Sequence, residues 1–178
     1  MTVVRRVVRV LSRDGLKGAA LLVRAAIAYV RLGFMRMLDR PVVRSAYGLR
    51  LAANYGDDTF GYYVSGAYGF FYWDRLATLD FPFVLLDIGA NQGLYAIGAA
   101  RSPNCVASYA FEPVPRTFGY LKKNIALNGA NACCVPVMKA IGEKTGVAEM
   151  ALKDGHSGVA TLASSNPLME ESGSKLAV

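Results

Sequence analysis

The run from Phe83 to Gly93 constrains this chain more than any other part of it. Four apolar residues, Phe83-Val84-Leu85-Leu86, lead to Asp87, and the turn Ile88-Gly89-Ala90-Asn91-Gln92-Gly93 follows. Leu94 to Arg101 then reads as helix. A buried strand, a tight turn and a helix N-terminus in succession leave backbone N–H groups without intrahelical partners, aimed at whatever lies above the strand end. A second apolar run, Cys105 to Phe111, ends on Glu112, nineteen residues past Gly93. A carboxylate at that spacing suits the hydroxyls of a ribose.

The flanking sequence extends this pattern. Pro115 opens a helix, because proline is favoured in a first turn. Phe118, Leu121 and Ile125 share a face of that helix, and Asn128-Gly129 ends it. A third strand runs from about Ala132 to Met138, and Pro136 inside it predicts a sheet edge. Two strand–helix units followed by a strand predict an α/β fold with a parallel, Rossmann-like sheet. Gly142 to Gly146 is a turn, Val147 to Leu152 alternates like a hairpin strand, and the chain from Lys153 on is polar. Upstream, Ser45 to Ala53 alternates as a strand does, and Asn54 to Asp58 is a turn. Phe60 to Leu79 reads as a glycine-interrupted helix dense in aromatics, most of them core. Tyr62, Tyr63 and Tyr68 are the ones expected to face a cleft. The chain divides into a basic helical extension (1–44), a lead-in (45–80) and the α/β region (81–178).

Charge is uneven. Net charge is +7, yet residues 1–50 hold eleven Arg or Lys against two Asp. The basic character therefore belongs to the N-terminus. Arg6, Arg13, Lys17, Arg24 and Arg31 recur at steps of seven and four, which places them on one helical stripe. Lys17, Arg24, Arg31 and Arg36 interrupt the apolar stretch Leu16–Leu38 too often for a membrane span. The favoured expectation is a helix packed on the domain with its arginines in water. A helix lying on an anionic membrane surface is the alternative. Nucleic acid ranks third, since the stripe carries no binding motif. Three cysteines with one adjacent pair form neither a disulfide framework nor a metal-ligand spacing, and a reducing cytoplasm is the expected setting. With a single histidine, His156, no metal site is expected.

The two acids at the strand ends imply an adenosine-containing ligand, either a dinucleotide or S-adenosylmethionine. Two details favour the latter. The turn has no G-x-G-x-x-G, so it lacks the close-set glycines a pyrophosphate needs. Asp87 also stands at the strand end, where a carboxylate would repel a pyrophosphate and suit an ammonium or sulfonium.

Asp87-Ile88-Gly89-Ala90-Asn91-Gln92-Gly93, then Ala110-Phe111-Glu112-Pro113, then Leu121 to Gly129 resemble the FkbM-type methyltransferases, and the likeness runs from about Leu85 to Leu162. The resemblance implies a class I fold and an S-adenosylmethionine cofactor. It also implies O-methylation of a hydroxyl on a sugar, polysaccharide or natural product. Cofactor contacts are expected from Asp87, Gly89, Ala90, Asn91, Gly93 and Glu112, with Pro113 and Val114 walling the adenine and Lys139 beside it. Asn124 and Asn128 match the family pattern and are expected to bond the helix end. Family members continue into further strands, so the sheet is expected to stop after its third strand, with strand one unpaired on one side. No catalytic residue is identified. The alternatives are an inactive methyltransferase fragment and an NAD-type Rossmann protein.

Overall fold

The computed structural model describes Val23, residues 26–161 and residues 173–178. Expectations that fall on residues 1–22, 24–25 and 162–172, the stripe residues Arg6, Arg13, Lys17 and Arg24 among them, lie outside the described residues. Helix α1 (26–37) leads to a hairpin of β1 (Val42–Arg44) and β2 (Arg50–Ala52), then α2 (Asp58–Ser65) and α3 (Phe71–Ala77). The α/β region follows: β3 (Phe83–Ile88), α4 (Leu94–Ala99), β4 (Cys105–Phe111), α5 (Pro115–Leu127) and β5 (Cys134–Val137). Next come β6 (Glu149–Lys153), a short 3-10 turn (Ser157–Val159) and β7 (Gly173–Ala177).

The expected sheet is present. Its order is β3-β4-β5, and both pairings are parallel. Pro136 lies on edge strand β5, as its missing N–H requires. Strand β3 is the other edge among the described residues. Cys105 and Cys133 meet across β4 and the loop before β5, with sulfurs 3.5 Å apart, while Cys134 is buried in the core.

Several sequence expectations need correction. Ser45 to Ala53 is not one strand: Ser45 to Leu49 is the turn of the β1–β2 hairpin, closed by Ser45 N–H to Leu49 O at 2.8 Å. Tyr47 points inward because of that turn, not because of a strand pleat. Its hydroxyl donates to Gly69 O at 2.8 Å, and its ring packs on Phe70 and Trp73. Phe60 to Leu79 is two helices, since Gly66 ends α2 in the left-handed region. Phe60 and Tyr63 are core, so Tyr63 faces no cleft, whereas Phe71 and Tyr72 stand in solvent. Strand β7 was not anticipated; it pairs antiparallel with β6.

The run Phe83–Leu86 is not buried on both faces. Ala110 and Cys134 lie beneath α4 and α5, in one core with Leu94, Ile97, Leu121 and Ile125. The opposite face carries Val84, Leu86, Ile88, Tyr109 and Val135, all exposed, and no described element covers it. That core also includes Val43, Leu49, Leu51 and Phe60, so the hairpin and α2 share it with the α/β region.

Two asparagines of α5 hold the hairpin. Asn124, fully buried, accepts the Ala52 N–H at 2.7 Å and donates to Gln92 O at 2.8 Å. Asn128 accepts the Arg50 N–H at 3.0 Å and donates to Arg50 O at 2.7 Å. The role is structural as expected, but the main partner is the edge of β2 as well as the helix end. Substituting Asn124→Ala strands two backbone groups and removes a buried amide. It is expected to cost about 2–4 kcal/mol in urea unfolding, and Asn128→Ala, at the wetter end, about 1 kcal/mol or less.

The two turn glycines differ in the same way. Both have positive φ, +78° at Gly89 and +93° at Gly93. A Cβ at Gly93 would sit 2.7 Å from Leu121 Cδ1 and 2.9 Å from Ile97 Cδ1, whereas one at Gly89 would meet open space. Gly89→Ala should therefore cost only backbone strain, about 1–2 kcal/mol. Gly93→Ala should cost a further 1–3 kcal/mol for overpacking, measured by the same unfolding assay.

Candidate functional site

Parallel pairing ends β3 and β4 side by side, with Ile88 opposite Phe111. The Gly89 and Ala90 N–H groups both donate to Phe111 O, at 3.0 and 2.9 Å. The Asn91 N–H donates to Glu112 Oε2 at 2.9 Å, the Gln92 N–H to Asn91 Oδ1 at 2.9 Å, and the Gly93 N–H to Ala90 O at 2.8 Å. Every N–H of residues 89–93 is thus satisfied within the protein. The expectation of free N–H groups is thus corrected for the turn itself but not for the start of α4, where the bonded N–H groups begin with Ala96, on Asp87, and Ile97, on Gly93 O.

Glu112 is the hub of this arrangement. Its other oxygen accepts the Val114 N–H at 2.9 Å, so the carboxylate ties the turn after β3 to the turn after β4. It is 5% exposed. Burial raises its pKa, the two N–H donors pull it back, and the charge of nearby Asp87 raises it again; the net shift is upward. Each oxygen keeps a further lone pair beyond the N–H it accepts.

Asp87 accepts the Ala96 N–H at 2.9 Å. Gly93, the N-cap of α4, has no side chain to cap it, so the strand-end acid does the capping from below. Burial pushes the Asp87 carboxyl up to about 6, against the smaller opposing effect of that hydrogen bond. The open space over Gly89 leaves room for a ligand beside these acids.

Asn91 has a φ of +52°, which asparagine tolerates better than most residues. Its side chain donates from Nδ2 to Ser157 Oγ at 2.9 Å, and Ser157 donates on to Asp57 Oδ1 at 3.1 Å. Asp57 also caps α2 through the Thr59 N–H at 2.8 Å and accepts the Ser157 N–H at 3.2 Å. Sequence reasoning missed this chain. Asp57, two residues before Thr59, carried a capping signal, but its partnership with residue 157 left no local trace. His156 is a loop residue, as expected, 3.4 Å from Thr59 Oγ1 and edge-on to Tyr62.

A cavity of about 200 Å³ lies next to this chain, lined by Val114, Thr117, Asp57, His156 and Ser157 among others. Val114 is the only expected cofactor residue on its wall; Asp87, Gly89, Ala90, Asn91, Gly93, Glu112 and Pro113 are not on it. Lys139, expected beside the adenine, is exposed. Gln92 is fully buried, and both of its side-chain polar atoms lack hydrogen-bond partners. Among the described residues no cluster of three or more metal-ligating side chains occurs.

No family model and no curated protein matches the chain. Among solved structures it is similar to Methanocaldococcus jannaschii Trm5 in complex with adenosine, at 22% identity and a TM-score of 0.43 over 55% of this chain and 29% of that one. It is also similar to aTrm5 in its complex with tRNALeu, at 22% identity and a TM-score of 0.46 over 58% and 29%. A SAM-dependent methyltransferase from Agrobacterium tumefaciens matches at 17% identity and a TM-score of 0.34 over 39% and 22%. Adenosine and tRNA are ligands of those proteins, and this chain spans less than a third of the length of each.

Proposed function

We propose that this chain carries the cofactor-binding part of an S-adenosylmethionine-dependent methyltransferase. One observation supports this reading most: the carboxylates of Asp87, half-buried, and Glu112, buried, stand at adjacent strand ends, and every N–H of residues 89–93 is already bonded within the protein. A pyrophosphate needs the opposite, open backbone donors and no fixed negative charge. The two acids and the closed turn disfavour the NAD-type alternative. A ligand bearing an ammonium and a sulfonium lowers the cost of ionising Asp87. The ribose contact requires the Asn91 N–H to release Glu112, or a ribose hydroxyl to share the carboxylate with it.

In methyl transfer the acceptor atom attacks the sulfonium methyl in line, and the cofactor's positive charge is neutralised as the bond forms. The protein's part is positioning. The motif likeness to FkbM-type enzymes favours a hydroxyl acceptor on a sugar or natural product. A tRNA acceptor is the competing arm of the test.

Calorimetric titration with S-adenosylhomocysteine tests the cofactor reading. Near pH 6 the Asp87 carboxyl is partly protonated, so binding of the ammonium should release protons. The measured enthalpy should then vary with the ionisation enthalpy of the buffer, and Asp87→Asn should remove most of that variation. No binding by a sample with native circular dichroism would defeat the proposal. Transfer of labelled methyl to a hydroxylated sugar mixture or to a tRNA transcript then separates the two acceptors.

The same carboxyl sets a pH dependence of stability without ligand. Its folded pKa is raised from 3.8 to about 6. The stability it contributes is therefore present below pH 4 and lost as pH rises towards 6. Relative to Asp87→Asn, which keeps an oxygen for the Ala96 N–H, the native protein should lose at most about 3 kcal/mol across that window. Thermal unfolding of both proteins at pH 4 and pH 6.5 reads the difference, and parallel curves would contradict the assignment.

A further inference from the structure

Helix α1 has two apolar faces, and only one of them is used. Ala28, Leu32 and Met35, at steps of four and three, are half-buried, and Leu32 and Met35 pack on the core. Leu32 also lies over Gly61 of α2. The opposite stripe is Val23, Ile27, Val30, Phe34 and Met37, at steps of four, three, four and three. These side chains are 57–74% exposed. A helix that merely packed on its domain would turn polar residues to water along that stripe. The expectation of a packed helix with arginines facing water thus describes only half of what is seen.

The charges complete the pattern. Arg31 and Arg36 are exposed on α1, Arg40 and Arg44 follow it, and residues 1–50 hold eleven basic side chains against two acidic ones. Among the described residues no helix is long and apolar enough to cross a membrane. An outward apolar stripe of five residues on a strongly basic segment has the physical signature of a helix lying in the plane of an anionic interface. The apolar side chains enter the acyl boundary, and the arginines reach headgroup phosphates by snorkelling.

We propose that α1 docks this protein on an anionic lipid surface through Val23, Ile27, Val30, Phe34 and Met37, with Arg31, one turn from Ile27, on the headgroups. A nucleic acid would use the same charges but has no use for the apolar stripe, which stands in the outermost position. A second copy would use the stripe but would be repelled by the charges. Of these three, anionic lipid is the partner that satisfies both. The proposal is independent of the methyltransferase reading.

Sedimentation of the full chain with vesicles tests it, comparing phosphatidylglycerol–phosphatidylcholine mixtures with phosphatidylcholine alone. The protein should pellet with the anionic vesicles, and binding should weaken in high salt. Val30→Glu with Phe34→Glu changes only exposed positions, so the fold should survive, and vesicle binding should fall by tenfold or more, on the order expected from losing two buried apolar side chains. Arg31→Gln should cost about fivefold, and Arg36→Gln, on the Leu32 side of the helix, less. The proposal is overturned if the native protein stays in the supernatant, or if the double glutamate variant pellets like the native chain. It is also overturned by tRNA binding that survives the glutamate changes in the absence of vesicle binding, or by a dimer that they abolish while vesicles remain unbound.

Discussion

The Glu112 carboxylate holds the ligand end of this fold together. Its two oxygens take the Asn91 and Val114 N–H groups, so one buried side chain closes both strand-end turns at once. The Phe111 carbonyl beside it takes the Gly89 and Ala90 N–H groups. These contacts fix the distance between the first two strand ends and leave the turn without spare donors. A charge so buried is tolerable only because donors meet it. It also means that the proposed cofactor contact would fall on a group the fold already uses. A ligand that claims Glu112 must give the turn something in return, and a ribose diol, as donor and acceptor both, is chemically able to do so.

The parallel sheet was legible because its signals are local. Apolar runs ending on Asp87 and Glu112, Pro115 at a helix start and Pro136 at a sheet edge each act within a few residues. Glycine spacing also located the turn, though it could not distinguish Gly89, which faces open space, from Gly93, which packs on Leu121 and Ile97. What escaped was long-range. The Asp57–Ser157–Asn91 relay joins residues 66 and 100 positions apart. Asn124 and Asn128 reach β2 across more than seventy residues. The burial of β3 was misread because an apolar run shows that a strand can be covered on both faces, not that it is.

Alternation misled at Tyr47 for a related reason. Tyr47, Leu49 and Leu51 are all buried, and period two is the usual cause of such a pattern. Here a tight turn turns Tyr47 inward, and its hydroxyl reaches Gly69 O between α2 and α3. Burial raises its pKa well above that of a free phenol, so it stays a neutral donor at any physiological pH. That one residue connects the hairpin, the break between two helices and Trp73, whose ring lies against Gly98 of α4. The inner part of the aromatic lead-in is therefore a brace behind α4, while Tyr68, Phe70, Phe71 and Tyr72 are exposed to solvent.

Among the described residues two apolar surfaces stand uncovered, and their chemistry differs. The outer face of β3-β4-β5 offers Val84, Leu86, Ile88, Tyr109 and Val135 next to the open edge of β3. Backbone groups at an open edge demand hydrogen-bond partners, which hydrocarbon cannot supply. A lipid surface is thus a poor cover for that face, and protein structure is a good one. On α1 the backbone is satisfied within the helix, and only side chains and arginine charge are presented outward. Hydrogen-bond demand, rather than hydrophobicity, is what separates the two faces, and it fits the proposed lipid contact to α1 and not to the sheet.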